Sequence, residues 1–402
     1  MNKWKWLVVA LLALMLSFQC GKHKPLPTGY QLVYGDKEGL ISDSTLTPIA
    51  GTEQFFSRII NTGGSGSLLL GNYANYQSGI YLKFQNLPDS VQIHSAILKL
   101  FIIQNIGPSD SSFWQQPHTF SINCYASGFD WTNDLDPEMF VSQLPFSDSP
   151  FTQSQVTTDT TYLEVALDTT QIKNWADSTV ANYGFWLQSP NADYITAVYA
   201  REILDPNVMP QMTLIYTYLD SLGAHLDTTR LFAAVDAYTV FNSEASLNLD
   251  PNYFYIGKGM AFRSFIKFDL QNMDTTMHIN RALLKLTISQ ANSILEAAGA
   301  TDCQIYRLDE PSWRKGEVNE SPSTAIYAGT LTDSTLTFDI TATVQGWIGQ
   351  KNPNYGLLVR SAAEATTIGR VAFYSSKTQS AFQPKLELYY SLPPQQEFDN
   401  SD

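Results

Sequence analysis

Ala96-Ile97-Leu98-Lys99-Leu100, running on into Phe101-Ile102, and Ala282-Leu283-Leu284-Lys285-Leu286, running on into Thr287-Ile288, are near-copies far apart in one chain. In each, apolar side chains recur at every second position, so that Leu98, Leu100 and Ile102 share one face, as do Leu284, Leu286 and Ile288. That is the period of a half-buried β-strand. Upstream, Tyr81-Leu82-Lys83-Phe84 reappears as Phe265-Ile266-Lys267-Phe268. Downstream, Trp175 precedes Asn182-Tyr183-Gly184 at the spacing with which Trp347 precedes Asn354-Tyr355-Gly356. Met209-Pro210-Gln211-Met212 then corresponds to Gln383-Pro384-Lys385-Leu386. The order is the same in both halves, so the chain reads as a tandem duplication with a period of about 170 to 190 residues.

Between the recurrent pieces lie short segments rich in Val, Ile, Thr, Tyr and Phe, separated by clusters of Asn, Asp, Gly, Ser and Pro. Such a pattern predicts an all-β fold, two tandem antiparallel β-sandwich domains of jelly-roll-like kind. Spacing by three (Thr169, Ile172, Trp175; Thr341, Val344, Trp347) predicts one short helix in each, capped by its threonine and burying its tryptophan. The expected boundaries are a signal peptide over 1–20, repeats over 30–218 and 230–391, a polar linker over 219–229 and a disordered acidic tail over 392–402. Two such domains joined by a linker should separate on cleavage near Ser221 to Thr229.

Lys3 and Lys5, the apolar run from Leu7 to Phe18, and Cys20 have the form of a secretory signal. The run is too short to span a bilayer. Leu16-Ser17-Phe18-Gln19-Cys20 resembles a lipobox, which makes Cys20 the expected lipidation site and predicts a cell-envelope lipoprotein of the outer membrane, in either leaflet. The alternative is an ordinary secretory signal that leaves Cys20 as an odd thiol. Cys124 and Cys303 sit in alternating segments among apolar neighbours and read as core thiols, so the fold is no disulfide scaffold. A formal net charge of −14 disfavours nucleic acid, and disfavours polyanionic glycans without a bridging cation.

The ordered set of motifs resembles the DNRLRE-type β-sandwich, also grouped as carbohydrate-binding module family 96. In the second repeat the matching residues are Asp236-Ala237-Tyr238, Lys267-Phe268-Asp269-Leu270, Ala282 to Leu286, Ile305-Tyr306-Arg307 and Trp313. Phe338-Asp339-Ile340-Thr341, Trp347, Asn354-Tyr355-Gly356 and Gln383 to Leu386 complete it. The first repeat departs from the pattern, with Phe84-Gln85 for Phe-Asp and Glu53-Gln54 near the opening where the second has Asp236. The resemblance implies a β-sandwich with a glycan-binding or adhesive role.

Catalysis needs a constellation of groups. The five histidines are scattered with no metal-ligand spacing, and there is no Gly-x-Ser-x-Gly elbow. A glycosidase pair of carboxylates stays open, because separation through space is invisible in a sequence. The expectation is a non-catalytic carbohydrate-binding role, with a structural or adhesive envelope component binding a protein partner as the alternative. No cofactor is expected beyond a structural Ca²⁺, for which Asp130, Asn133, Asp134, Asp136 and Glu138 crowd hard oxygen ligands together. A solvated acidic loop would look the same.

Trp131 pairs with Trp313 and Trp175 with Trp347 across the repeats, which points to core roles. Trp114 and Trp186 have no counterpart, Leu358 standing where Trp186 does. If Phe185 and Leu187 face the core, Trp186 and Gln188 face away and could stack on a pyranose; packing against the sister domain is the other reading. Trp114, in a polar loop, and Tyr73 and Tyr76, between strands, are further ligand-binding candidates.

Overall fold

A computed structural model describes residues 41–50, 52–108, 110–115, 117–133, 149–157, 161–242, 249–294, 302–311 and 326–392. The signal peptide, Cys20, Trp313 and the tail beyond Leu392 lie outside them. The fold is all-β, in antiparallel layers, with two short α-helices among the described residues. From the N-terminus the strands are β1 (Ile41–Leu46), β2 (Gln54–Ile59), β3 (Ser67–Tyr73), β4 (Tyr76–Phe84), β5 (Gln92–Ile106), β6 (Thr119–Ala126), β7 (Thr152–Thr157) and β8 (Tyr162–Ala166). Helix α1 (Thr169–Ala176), β9 (Phe185–Gln188), β10 (Ile195–Tyr199) and β11 (Gln211–Asp220) follow. The second half has β12 (Gly223–Asn242), β13 (Tyr253–Lys258), β14 (Met260–Ile266), β15 (His278–Ile294), β16 (Cys303–Arg307), β17 (Ile326–Ala328), β18 (Thr330–Thr332) and β19 (Thr335–Asp339). Helix α2 (Thr341–Ile348), β20 (Leu357–Ser361), β21 (Gly369–Tyr374) and β22 (Lys385–Ser391) close the chain.

The pairings are written twice. In the first unit β5 pairs with β8, β10 and β11, and β9 joins β4 to β6. In the second β15 pairs with β19, β21 and β22, and β20 joins β14 to β16. The alternation seen in the sequence is the reason: Leu98 and Leu100, like Leu284 and Leu286, are fully buried between the layers. Cys124 and Cys303 are free and buried, and burial pushes both thiols far above their ordinary range.

The strand that closes each unit comes from the other repeat. Residues 223–232 of β12 pair with β11, and residues 233–242 cross to the other layer and pair with β4. In return β1 pairs with β22 and β2 with β14. The registers correspond: Met212 faces Leu231 as Leu386 faces Leu46, and Tyr81 faces Ala237 as Phe265 faces Gln54. The exchange is therefore reciprocal.

The expected linker over 219–229 is instead the tip and arms of the β11–β12 hairpin. Asp220 accepts the N–H groups of Leu222 and Gly223, and Gly223 adopts φ +129, so the Asp and Gly that look like linker residues are turn residues. A two-residue turn has little closure entropy, so β11 captures the opening strand of the next repeat in preference to the distant β1. The socket left in the second unit takes β1 and β2.

The units are not modestly joined. Tyr255, Phe262, Ile368 and Ala372 of the second belong to the first unit's apolar core, against Tyr238 and Val240 of β12. The Tyr238 hydroxyl donates to the Ala365 carbonyl at 2.7 Å, and those of Ser65 and Ser67 to the Ala365 and Thr366 carbonyls. Protease cleavage at the exposed hairpin tip, at Ser221-Leu222, is accordingly expected to give two fragments that co-elute as one particle in native size exclusion. Fragments eluting separately would contradict the exchange.

The helices bury Ile172 and Trp175, and Val344 and Trp347, as their spacing predicts. Their caps differ from expectation. Asp168 caps α1, accepting from the N–H groups of Thr170 and Gln171, because a carboxylate suits the positive end of a helix; α2 has Ile340 at that position and no side-chain cap, though Asp339 before it accepts the Thr341 N–H. Asn182 and Asn354 each donate to a strand carbonyl (Phe84, Phe268) and accept from Gly184 or Gly356, both at positive φ. The Asn-Tyr-Gly motif is thus a turn that fastens β9 to β4 and β20 to β14.

Candidate functional site

On the layer β17-β16-β20-β14-β2, strands β2, β14 and β20 and the turn over residues 362–366 line a groove of about 460 Å³. Strand alternation decides which residues stand there. Phe265 and Leu358, paired across β14 and β20, form a small apolar cluster with Tyr306 and Phe56, separate from the inter-layer core. Two residues along each strand on the same face come Arg263, Arg360 and Arg58. Arg58 belongs to β2, so the groove is assembled from both repeats.

Arg263 is buried and bonds Glu364 with both arms of its guanidinium, Nε to Oε1 at 2.9 Å and Nη2 to Oε2 at 2.6 Å. This fixes the floor. Arg360 lies with its guanidinium carbon 4.8 Å from the Tyr306 ring centre, and the Tyr306 hydroxyl donates to Gln304 at 2.8 Å. Arg58 is exposed at the rim, beside Asn61 and Thr366. Three guanidinium groups face one carboxylate, a local positive charge on an acidic protein. The groove offers planar hydrogen-bond donors beside an aromatic edge, the equipment for holding hydroxyl or acid groups on a ring.

The corresponding face of the first unit is filled. Trp186 faces away from Phe185 and Leu187, as alternation predicts, but it is only 6% exposed. It stacks on Tyr81 (6.2 Å between centres) and leans on Tyr125, with Trp131 and Ala237 in the same cluster. The indole lies so close over Gly79 that no Cβ would fit there. Trp186 is thus a packed residue and forms no open platform. Gln188 sits beside it, half-buried. Where the first unit has Gly79, Trp186 and Gln188, the second has Arg263, Leu358 and Arg360. The Gly-to-Arg difference between the two faces is visible in the sequence on aligning β4 with β14.

The remaining candidates are scattered. Trp114 is half-buried, its N–H donating to the Pro108 carbonyl at 2.9 Å and its ring edge-on to Tyr194. Tyr76 is buried, which rules out an open stacking surface there and raises its hydroxyl above its ordinary range. Tyr73 is partly exposed beside Asn72, Asn75 and Asp193 in a shallow pocket. Asp130 is paired with Lys83 at 2.5 Å, and this contact holds its carboxyl below the usual range. Asn133 instead donates to Glu202 at 3.1 Å. Asp134, Asp136 and Glu138 lie outside the described residues.

The opening acids hold equivalent places. Asp236 accepts the N–H of Arg201 at 2.7 Å, and Glu53 the N–H of Ser376 at 2.6 Å, each fastening a donated strand to the turn after β10 or β21. Burial, and then the neighbouring Glu202 charge, holds the Asp236 carboxyl well above the usual carboxylate range.

With this geometry in hand, the comparisons are specific. Residues 232–390 match the family model for carbohydrate-binding module family 96. The match begins inside β12, whose first matched residues complete the other unit. No curated protein matches the chain. Modules of this class bind carbohydrate without catalysing its breakdown, and the β-sandwich of the second half agrees with that class.

Proposed function

We propose that the chain is a non-catalytic carbohydrate-binding lipoprotein of the cell envelope, anchored through Cys20. On this reading the arginine groove binds a sugar bearing a carboxylate or sulfate. The first repeat is then a diverged copy of the same module whose binding face has been filled by Trp186. The observation that carries the proposal is the position of Arg263 and Arg360, within the segment that matches a carbohydrate-binding module, in one groove with Arg58 of β2. The groove's one carboxylate, Glu364, is engaged by Arg263, whereas glycoside hydrolysis calls for two acting on either side of the bond. The overall acidity that disfavours polyanions is offset locally.

The test is a glycan array of neutral, uronate-containing and sulfated oligosaccharides, with the Arg58→Ala, Arg360→Ala double variant alongside. Acidic glycans are expected to bind. The variant should lose at least about tenfold, since one charged hydrogen bond contributes roughly 1.5–3 kcal/mol. Its melting temperature should stay close to that of the parent, because neither arginine is fully buried. Undiminished binding by the variant would remove the groove from consideration.

A protein-binding role has one observation in its favour. Leu219, Leu222 and Leu226 stand exposed together at the β11–β12 hairpin tip, at 79%, 87% and 71%. An array without hits would shift attention to that tip.

A further inference from the structure

The internal duplication supplies a control for one unusual spot, the turn after β10. In the second unit the opening acid is fully satisfied: Glu53 accepts the Ser376 N–H through Oε1 and the Ser376 hydroxyl through Oε2, at 2.6 and 2.7 Å. The next residue in the chain is Lys377. In the first unit the same two positions are Arg201 and Glu202. The loss of the serine removes the hydroxyl donor, and the change from lysine to glutamate adds an acid where a cation stood.

Both changes crowd oxygens together with too few donor groups. Asp236 is only 1% exposed, yet its Oδ1 has no hydrogen-bond partner. Glu202 Oε2 and Asn133 Oδ1 are likewise buried and unpartnered. The three side chains are held together: Asn133 Nδ2 donates to Glu202 Oε1 at 3.1 Å, and the Asp236 and Glu202 carboxyls are near enough to share a proton, which a bound cation would displace. The Asn61 amide in turn fastens the Asn133 carbonyl at 2.8 Å. Arg201 offsets only part of the charge, its Nη1 standing 3.7 Å from Glu202 Oε1 on a side chain 38% exposed. A buried oxygen without a donor costs about 1–3 kcal/mol, more when charged, and three in one place call for a common partner.

We propose that Asp236, Glu202 and Asn133 form a calcium site that locks the donated strand β12 into the first unit. Carboxylate and amide oxygens from separate segments are the ligands that hard cations take, and water completes the shell. The second unit needs no ion, because Ser376 supplies a donor to each Glu53 oxygen and no second acid stands beside it. This inference is independent of the sugar-binding reading: the ion joins β12 to the turn after β10, on a different unit from the groove.

The probe is CaCl₂ against EGTA, read by thermal unfolding of the purified chain. At about a hundredfold excess over its dissociation constant, calcium is expected to raise the first unit's melting temperature by roughly 5–10 °C. Magnesium should do less, since it resists dehydration and demands tighter octahedral geometry. Terbium should luminesce on excitation of tryptophan, Trp131 being two residues from Asn133, and calcium should quench it by displacement. Glu202→Lys removes the second acid and places the second unit's residue there, and is expected to fold, to melt alike in both buffers and to show no terbium signal. Asp236→Asn should also lose the calcium response. No calcium shift in the parent chain, or a shift and terbium signal retained in full by Glu202→Lys, overturns the proposal.

Discussion

Deletion of residues 41–59 is expected to unfold the second unit while the first keeps a cooperative transition. The deleted stretch lies at the start of the first repeat, yet its strands sit in the second unit. There β1 covers β22 from Leu46 opposite Leu386 to Ile41 opposite Ser391, and β2 covers β14. Their removal exposes the backbone edges of both strands, and each lost ladder bond costs about 1 kcal/mol. It also withdraws Phe55 from Tyr255 and Phe262, and Phe56 from the cluster around Phe265, at about 1.5–3 kcal/mol per ring. Together these losses are comparable to the whole stability of a domain, about 5–15 kcal/mol. The first unit keeps its own ladder, since β12 still closes it, but it loses the Tyr255, Phe262, Ile368 and Ala372 part of its core and should melt at a lower temperature. Calorimetry should show one transition where the full chain's heat is larger, and the bare β14 and β22 edges should promote aggregation. A peptide spanning 41–59, added in trans, should restore the lost transition, as strand donation does elsewhere. If the deleted chain melts like the parent, the second unit closes with a strand of its own and the exchange described here is wrong.

This exchange marks the limit of what the residues reveal. Period-two runs such as Leu98-Leu100-Ile102 specify strands and their buried faces, because burial is a local property of the pattern. The motif order specifies a duplicated sandwich. Which repeat's strand fills which socket depends instead on competition between two nearly equal partners, β1 and β12, for β11. A turn of two residues between Asp220 and Gly223 tips that balance, and its composition looks like that of a linker. The outward face around Trp186 has the same character. Alternation placed Trp186 and Gln188 outward correctly, but whether an outward aromatic is open or covered depends on what lies over it, here Tyr81, Tyr125 and Trp131. Asp236 and Glu53 were recognisable as the opening acids of each repeat. Their difference in satisfaction rests on Ser376 and Arg201, which occupy equivalent places without resembling each other.

Glu364→Ala should be the most damaging single substitution in the groove. It leaves the Arg263 guanidinium buried with neither Oε1 nor Oε2 to receive its two bonds, and removing one partner of a buried pair costs about 3–5 kcal/mol. For a unit of this size that corresponds to a fall of roughly 10 °C in melting temperature, measurable by scanning calorimetry. The damage comes from the stranded charge, so it should be reversible by removing that charge: Arg263→Met with Glu364→Leu is expected to regain most of the loss, because a buried ion pair is often matched by apolar residues of similar volume. The double variant also separates fold from recognition. It removes one positive and one negative charge and keeps Arg58 and Arg360 at the surface, so acidic-glycan binding should survive where the groove's outer arginines do the reading. If stability returns and binding does not, Arg263 contacts the ligand itself, and the Arg263–Glu364 pair exists to present it. If stability does not return, the pair is holding the turn around Ala363 to Thr366, where the Ala365 and Thr366 carbonyls receive Tyr238, Ser65 and Ser67 from the other unit. The groove and the junction between the units would then be one structure.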